Sequence, residues 1–349
     1  MGFLSNVKQG YITRNVDISQ AKMLLDVQPA AGDLLLCRVD KIRQHTRLEN
    51  TQGRREHLYE GDNIIVVAAK RYATDQFCAE LPTLGQPFHL VAAGGIAGNV
   101  THRSQKVKAP TELTLQGVIG GKDGKALNLS SFAPLKTMNR TQINIPVLVI
   151  VGSDMNAGKT TTACACINGL FKEGIRVAGA KLTGTGAGPD YWRMKDAGAC
   201  HVIDFVDAGF PSTVGLSTGN FIQLLQRFKE SAQKAEAQIL VLEIADGILQ
   251  PETKSLMNSE HFINEVTGVI VAADSATSAI MVAERVLSAG FSLYAISGLL
   301  TRSPIACEEA TTGSGLPVFT AADLSKKSAI DYLYNTIIRD YENTCSAAG

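Results

Sequence analysis

The chain has 349 residues, 45% of them apolar and 19% charged, so it carries enough apolar material for about two packed domains rather than a disordered chain. Its 33 basic and 33 acidic side chains cancel, which argues against a general binder of nucleic acid or anionic membranes. No apolar run reaches the ~20 residues needed to span a bilayer.

The N-terminus has no signal pattern, and Asn6 stands where a myristoylation site needs Ser or Thr. Seven scattered cysteines form no Cys-x-x-Cys pair, as expected of reduced thiols in a cytoplasmic protein. The six histidines show no metal-ligand spacing.

Residues 30–130 read as β-rich. Strand-like runs cover 34–39, 63–69 and 88–93, and residues 113–119 alternate apolar and polar. The stretch 120–125, Gly-Gly-Lys-Asp-Gly-Lys, is a turn signal. Short strands with such turns predict a small barrel or sandwich. The basic run from Lys41 to His57 reads as a solvated hairpin, or alternatively as a clamp for an anionic substrate; His102 to Lys108 reads the same way. Residues 127–141 look like a linker, which gives a β-rich domain over 1–140 and a second domain over 142–349.

In the second domain strands alternate with helices. The expected strands are 145–151, 176–182, 239–244, 268–273, 292–297 and 316–319, and the expected helices 159–173, 213–235, 276–288 and 325–341. This rhythm predicts an α/β fold with a mostly parallel sheet flanked by helices, its ligands beyond the carboxyl ends of the strands. The first strand leads into Gly152-Ser153-Asp154-Met155-Asn156-Ala157-Gly158, followed by Lys159-Thr160-Thr161. Strand, glycine-bearing loop, Lys-Thr and helix form a phosphate cradle: backbone N–H groups face the anion, the lysine adds mobile charge, and the threonine ligates Mg2+. Five residues separate the two glycines instead of four, with Ser153 in place of the usual first glycine.

That loop resembles the Gly-Thr-Asp-x-x-x-Gly-Lys-Thr loop of dethiobiotin synthetase and its relatives. Further segments are similar in the same order, over roughly residues 144–322. Ala178 to Gly186, with Lys181, resembles the family's Lys-Pro-x-x-x-Gly segment, whose lysine lies in the active site. Arg193 to Ala197 resembles its Ser-Asp-Ala segment, which makes Asp196 a Mg2+ ligand by resemblance. Val241 to Gly247 takes the place of Val-Glu-Gly-Ala-Gly-Gly, and Gly298 to Pro304 resembles a late Gly-x-x-x-Asn-Arg turn. The proline after the lysine is missing, and Ile244-Ala245-Asp246 replaces glycines after Glu243, so the resemblance implies the nucleotide chemistry and not the biotin-precursor substrate. The whole chain also resembles bacterial P-loop proteins of the DUF1611 kind.

The site residues then take expected roles. Lys159 contacts the β- and γ-phosphates, and Thr160 ligates Mg2+. Glu243 ends an apolar strand and suits the metal, with Asp246 a second candidate. Lys181, at the end of a buried strand, needs an anion: a γ-phosphate or transition-state charge. Asp154 pairs with Lys159 or Lys181, or orients the nucleophile. Asp190 and Asp196 compete for the remaining metal position, or cap a helix; Asp190 follows a glycine-rich run suited to a lid. No Asn-Lys-x-Asp sequence is present to read guanine, which favours ATP, and Thr301 and Arg302, after the late strand, are candidates for adenine contacts.

The expected function is a Mg-ATP-dependent ligase or kinase activating a small-molecule carboxylate or carbamate, with an amine or other acceptor. Two alternatives stand beside it: an ATP-dependent switch or partner-loading ATPase, and an acyltransferase holding the phosphates of coenzyme A. A homodimer is expected, with the N-terminal domain supplying acceptor specificity or the oligomer interface.

Overall fold

Short apolar runs bounded by turns shape the first half of the chain, and unbroken apolar strands followed by helices shape the second. The computed structural model describes residue 4, residues 6–135 and residues 143–347. The chain divides into two units, Met1–Lys136 with Gly184–Pro189 and Phe205–Val214, and Thr137–Thr183 with Asp190–Asp204 and Gly215–Gly349.

In the first unit the strands are β1 (Lys8–Gln9), β2 (Met23–Leu25), β3 (Leu34–Lys41), β4 (Arg47–Glu49), β5 (Arg55–His57), β6 (Asn63–Ala68), β7 (Phe77–Glu80), β8 (Phe88–Ala92), β9 (Ile96–Arg103) and β10 (Thr111–Gly120). Strand β3 pairs with β10, β10 with β8, β8 with β9, β9 with β6 and β6 with β3. That circuit returns to its start, so of barrel and sandwich it is the barrel that forms. Leu35, Cys37 and Val39 of β3 share one core with Ile64, Val66 and Ala68 of β6, Leu90, Ala97 and Leu113. The other face of β3 is buried too, at Leu34 and Leu36, and this two-sided burial explains an apolar run instead of clean alternation. The basic run folds as the β4–β5 hairpin, with Arg54 paired to Glu56 at 2.6 Å and Arg43 to Glu112. Residues 127–135 are not a linker: Leu129–Phe132 form a buried-edged 3-10 turn capped by Asn128. Residues 136–141, with the expected boundary near 140, lie outside the described residues.

Two stretches of the second half belong to this first unit. Gly184–Pro189 and Phe205–Val214 bridge to each other at Thr185 and Ser212, and Arg14 pairs with Asp207 at 2.8 Å.

The second unit is a six-stranded parallel sheet of β11 (Val147–Gly152), β12 (Val177–Lys181), β13 (His201–Asp204), β14 (Ile239–Gly247), β15 (Gly268–Ala272) and β16 (Leu293–Ser297), in the order β13-β12-β14-β11-β15-β16. Its helices are α1 (Lys159–Lys172), α2 (Gly188–Asp196), α3 (Thr218–Lys234), α4 (Pro251–Met257), α5 (Glu260–Glu265), α6 (Ala276–Ser288), α7 (Pro304–Ser314), α8 (Ala321–Leu324) and α9 (Lys327–Ala347). Ala163, Cys166, Ile167 and Leu170 of α1 pack with Leu333 and Ile337 of α9 on Leu148, Ile150 and Ile270 of the sheet. Helices α3 and α6 lie against β14 and β15 with stripes of their own, Phe221, Leu224 and Phe228, and Ala279, Val282 and Val286.

Several elements differ from expectation. Residues 316–319 are not a strand; only Val318 bridges to Ile296. Strand β13 is four residues long, too short to register a period. Helices α4 and α7 begin with proline, and α2 carries one at its second position, so residues that signal a break here open a first turn instead. Helix α3 starts at Thr218 rather than 213, where the Ser217–Asn220 capping box sets its end. No helix among the described residues is long and apolar enough to cross a membrane.

Candidate functional site

Strand β11 is buried along its length and stops at Gly152, where the chain turns into the loop. The Asp154 carboxylate accepts from the N–H of Met155 at 2.7 Å, so it folds onto its own loop rather than reaching a lysine side chain. Gly158 caps α1 at φ +99°, a conformation that favours glycine, and no side chain caps the helix. The first N–H groups of α1 therefore face out of the helix end, where its dipole favours an anion.

Lys159 is 3% exposed. Its ammonium donates to the carbonyl oxygens of Asp154, at 2.5 Å, and Met155, at 3.4 Å. Burial lowers its pKa from the ordinary lysine value; Glu243 and Asp246 act the other way. The aliphatic stem crosses Gly152, where a Cβ would stand 2.8 Å from its Cγ and Cδ. The glycine before the loop is thus required by the lysine at its end.

Two later segments brace the loop. Leu299 N–H donates to the Ala157 carbonyl at 3.0 Å, and a Cβ on Gly298 would stand 2.5 Å from that oxygen. Ile248 N–H donates to the Gly152 carbonyl at 3.1 Å, and Ser153 Oγ bonds Asp274 at 3.2 Å.

At the start of α1, Thr160 Oγ1 lies 2.8 Å from Glu243 Oε1 and 3.2 Å from Asp190 Oδ1. The other oxygen of Asp190 takes the Lys181 ammonium. Lys181 and Glu243 are register partners at the carboxyl ends of β12 and β14, which is why residues 62 apart share one site. Glu243 is 2% exposed, and its Oε2 is buried without a hydrogen-bond partner. Burial raises its pKa and the charge of Asp190 adds to this, against the pull of Lys181. Burial also works against the charged forms of Asp190 and Lys181, but each holds the other charged, so Asp190 lies below and Lys181 above the ordinary value.

An orphaned carboxylate oxygen beside a threonine hydroxyl and a second carboxylate fits a hard, oxygen-seeking cation such as Mg2+. Among the described residues no group of three or more His, Cys, Asp or Glu side chains is arranged to hold a metal alone. A cation at Thr160 would complete its shell with phosphate and water, as Mg2+ does.

The structure brings together Lys159, Thr160, Lys181, Asp190 and Glu243, with Asp246 near enough to act on both lysines. It does not bring Asp196 to Thr160. Asp196 ends α2 and lines a groove of about 530 Å3 with Thr161, Cys164 and Arg193. Neither aspartate caps a helix; both lie within α2. Arg302 is exposed at the end of the 3-10 turn Leu299–Arg302, and Thr301 bonds the Gly298 carbonyl. Arg193, which opens the segment similar to Ser-Asp-Ala, was given no role of its own by the sequence; it donates to Thr161 Oγ1 at 3.0 Å.

No protein-family model matches the chain, and no curated protein matches it. Solved structures with some similarity include the signal recognition particle 54 kDa protein of Aeropyrum pernix K1 in complex with GDP, at 16% identity and TM-score 0.38, covering 63% of this chain and 53% of that one. The chain therefore matches about half the length of that protein. The hydrogenase maturation factor HypB of Archaeoglobus fulgidus is similar at 15% identity and TM-score 0.38, covering 56% of this chain and 91% of that one. A DUF1611 family protein of Anabaena variabilis is similar at 14% identity and TM-score 0.37, covering 59% and 63%. The second unit is a parallel sheet whose strand β11 runs through a glycine-bearing loop into α1.

Proposed function

We propose that this protein is a Mg-ATP-dependent ligase or kinase that activates a small-molecule carboxylate or carbamate by phosphoryl transfer, with nucleotide chemistry of the dethiobiotin synthetase kind. The observation that carries this reading is Lys181. It is a second lysine beyond the loop, 14% exposed, held by Asp190 at the carboxyl end of β12 beside Thr160 and Glu243. A lysine so placed stabilises charge developing on a transferred phosphoryl group, a task separate from gripping the nucleotide.

In this reading the loop and Lys159 hold the β- and γ-phosphates. Thr160, Glu243 and Asp190 hold Mg2+, which neutralises phosphate charge when bound. The acceptor oxygen attacks the γ-phosphorus, ADP leaves, and an acyl phosphate forms; an amine attacking its carbonyl carbon then releases phosphate. Asp154 positions the loop through Met155. ATP rather than GTP is favoured by the lack of an Asn-Lys-x-Asp sequence. The six described thiols are free, which suits the cytoplasm. The barrel unit supplies acceptor specificity or a homodimer interface.

The test is phosphate release from Mg-ATP, and in parallel Mg-GTP, against pooled carboxylate and amine metabolites, with Lys159→Ala as control. Release that rises strongly with one pool and vanishes in the variant supports the reading. Slow release indifferent to every pool overturns it in favour of a nucleotide switch, and acyl-CoA turnover without ATP overturns it in favour of an acyltransferase.

A further inference from the structure

The strand that ends in Lys181 leads to Asp190 through the short stretch Gly184–Pro189, which belongs to the first unit, as Glu49 does. The stretch is pinned there from its first residue. Gly184 N–H donates to Thr213 Oγ1 at 2.8 Å, and the Gly184 carbonyl accepts from Thr213 N–H at 3.0 Å. Thr185 bridges to Ser212, and Gly186 N–H donates to the Pro211 carbonyl at 3.1 Å. A Cβ on Gly94 would overlap the Gly186 oxygen, and a Cβ on Gly186 would stand 2.8 Å from Ile12 Cδ1. The two backbones touch because neither residue carries a side chain.

A side chain makes the last hold. Gly188 opens α2, and its N–H donates to Glu49 Oε2 at 3.0 Å, across 139 residues of sequence. The residue before the helix is Ala187, which has no side-chain oxygen to cap it; Glu49, at the end of β4, supplies an acceptor instead. A carboxylate there also meets the positive end of the helix dipole. Glu49 is 2% exposed, and its own N–H donates to the carbonyl of Ala93, the neighbour of Gly94, at 2.8 Å. A carboxylate so buried costs stability unless its hydrogen bonds are made, so packing alone does not account for its charge. From Gly188 the chain passes through Pro189, whose ring fixes φ, to Asp190. Asp190 Oδ1 lies 3.2 Å from Thr160 Oγ1, and the other oxygen takes Lys181. Little torsional slack separates the Glu49 hydrogen bond from that carboxylate.

We propose that Glu49 is a positioning residue for the Mg2+ position: by holding Gly188 it sets the first turn of α2, and with it where Asp190 meets Thr160 and Lys181. The influence runs along the covalent chain, from Gly188 and Pro189 of the first unit into Asp190 of the second. Glu49 acts through Asp190 and not on the nucleotide. The inference deepens the nucleotide reading and rests on the Mg2+ role proposed for Asp190. It gives the barrel unit a part in nucleotide chemistry besides acceptor specificity or a dimer interface.

Calorimetry of ATP with and without Mg2+ tests this, read as the factor by which Mg2+ tightens binding. The full-length chains compared are the wild type, Glu49→Ala, Glu49→Gln, Asp190→Asn, and Glu49→Ala combined with Asp190→Asn. Glu49→Ala should lower the factor about 3–10-fold, the size of one lost hydrogen bond. Glu49→Gln keeps an oxygen for the Gly188 N–H and should restore most of the factor, which general loosening of the barrel would not do. Asp190→Asn should lower the factor, and adding Glu49→Ala to it should lower it no further, because both act at one carboxylate. A full second loss in the double variant overturns the positioning role, as does a wild-type factor in Glu49→Ala when Asp190→Asn lowers it; in both cases Asp190 stays at the metal. A factor unchanged in Asp190→Asn, or absent from the wild type, overturns the Mg2+ reading and this inference with it. Should Glu49→Ala fail to fold, Glu49→Asp draws the carboxylate back by one methylene and keeps its charge. It should lower the factor in the same direction, and an undiminished factor there overturns the proposal.

Discussion

Thr160 Oγ1 lies 2.8 Å from Glu243 Oε1, although 83 residues separate them, and the second oxygen of that carboxylate has no partner. A buried carboxylate with one satisfied oxygen is a costly arrangement for the metal-free protein and a useful one for a cation. Glu243→Gln removes the charge and keeps the shape. Expected is an unfolding midpoint equal to or above that of the wild type without Mg2+. Mg2+-dependent tightening of nucleotide binding should fall by at least about tenfold, the size of one lost charge-assisted contact. Nucleotide titrations with and without Mg2+ check this, and an unchanged Mg2+ effect counts against Glu243 at the metal.

Lys181 and Asp190 satisfy each other away from most solvent, so removing either strands the other. Lys181→Met and Asp190→Asn are each expected to destabilise by about 1–3 kcal/mol. The double variant should recover part of that loss, with a coupling of about 1–3 kcal/mol in denaturant unfolding. Turnover should not recover in it. Strictly additive stabilities would remove the pair as a structural unit.

Gly152→Ala places a Cβ 2.8 Å from the stem of Lys159. The lysine must shift, and with it the ammonium. Nucleotide affinity is expected to fall roughly 10–100-fold, equivalent to about 1.4–2.8 kcal/mol. The circular dichroism spectrum should be retained, because the strand itself stays buried. Wild-type affinity in this variant would show that the lysine stem has another route.

The barrel unit carries its own pH dependence. Burial lowers the His45 pKa from 6.5 to about 4, and the Arg71 charge adds to this. A histidine held neutral in the fold is protonated first in the unfolded chain, so its contribution to stability is complete above about 6.5 and declines as pH falls toward about 4. The loss from this group approaches about 3 kcal/mol across that range, at ~1.4 kcal/mol per pH unit. Denaturant unfolding at intervals across that range should give a shallower slope in His45→Gln; an identical slope assigns the acid sensitivity elsewhere.

The local pieces were legible from residue order alone. An apolar strand, a glycine loop, Lys-Thr and a helix are contiguous, so backbone chemistry specifies them without reference to the rest of the chain. The same holds for the parallel character of the sheet, written in alternating strands and helices, and for the existence of β3 and β6 as apolar runs. Closure of the barrel was not legible, because it depends on the β6–β9 pairing, and β9 had no period of its own that the turn at Gly94-Gly95 did not hide. Nor was the short β13, nor the two excursions at 184–189 and 205–214, which are decided by where their few apolar and polar groups find partners. The choice between Asp190 and Asp196 needed the helix: six residues along α2 is about 9 Å of rise and a different face, and only the register of β12 with β14 sets which end meets Thr160. Sequence determined which chemical groups the site owns; the packing of distant strands decided which of them touch, because contact between residues far apart in the chain is a property of tertiary register and not of local spacing.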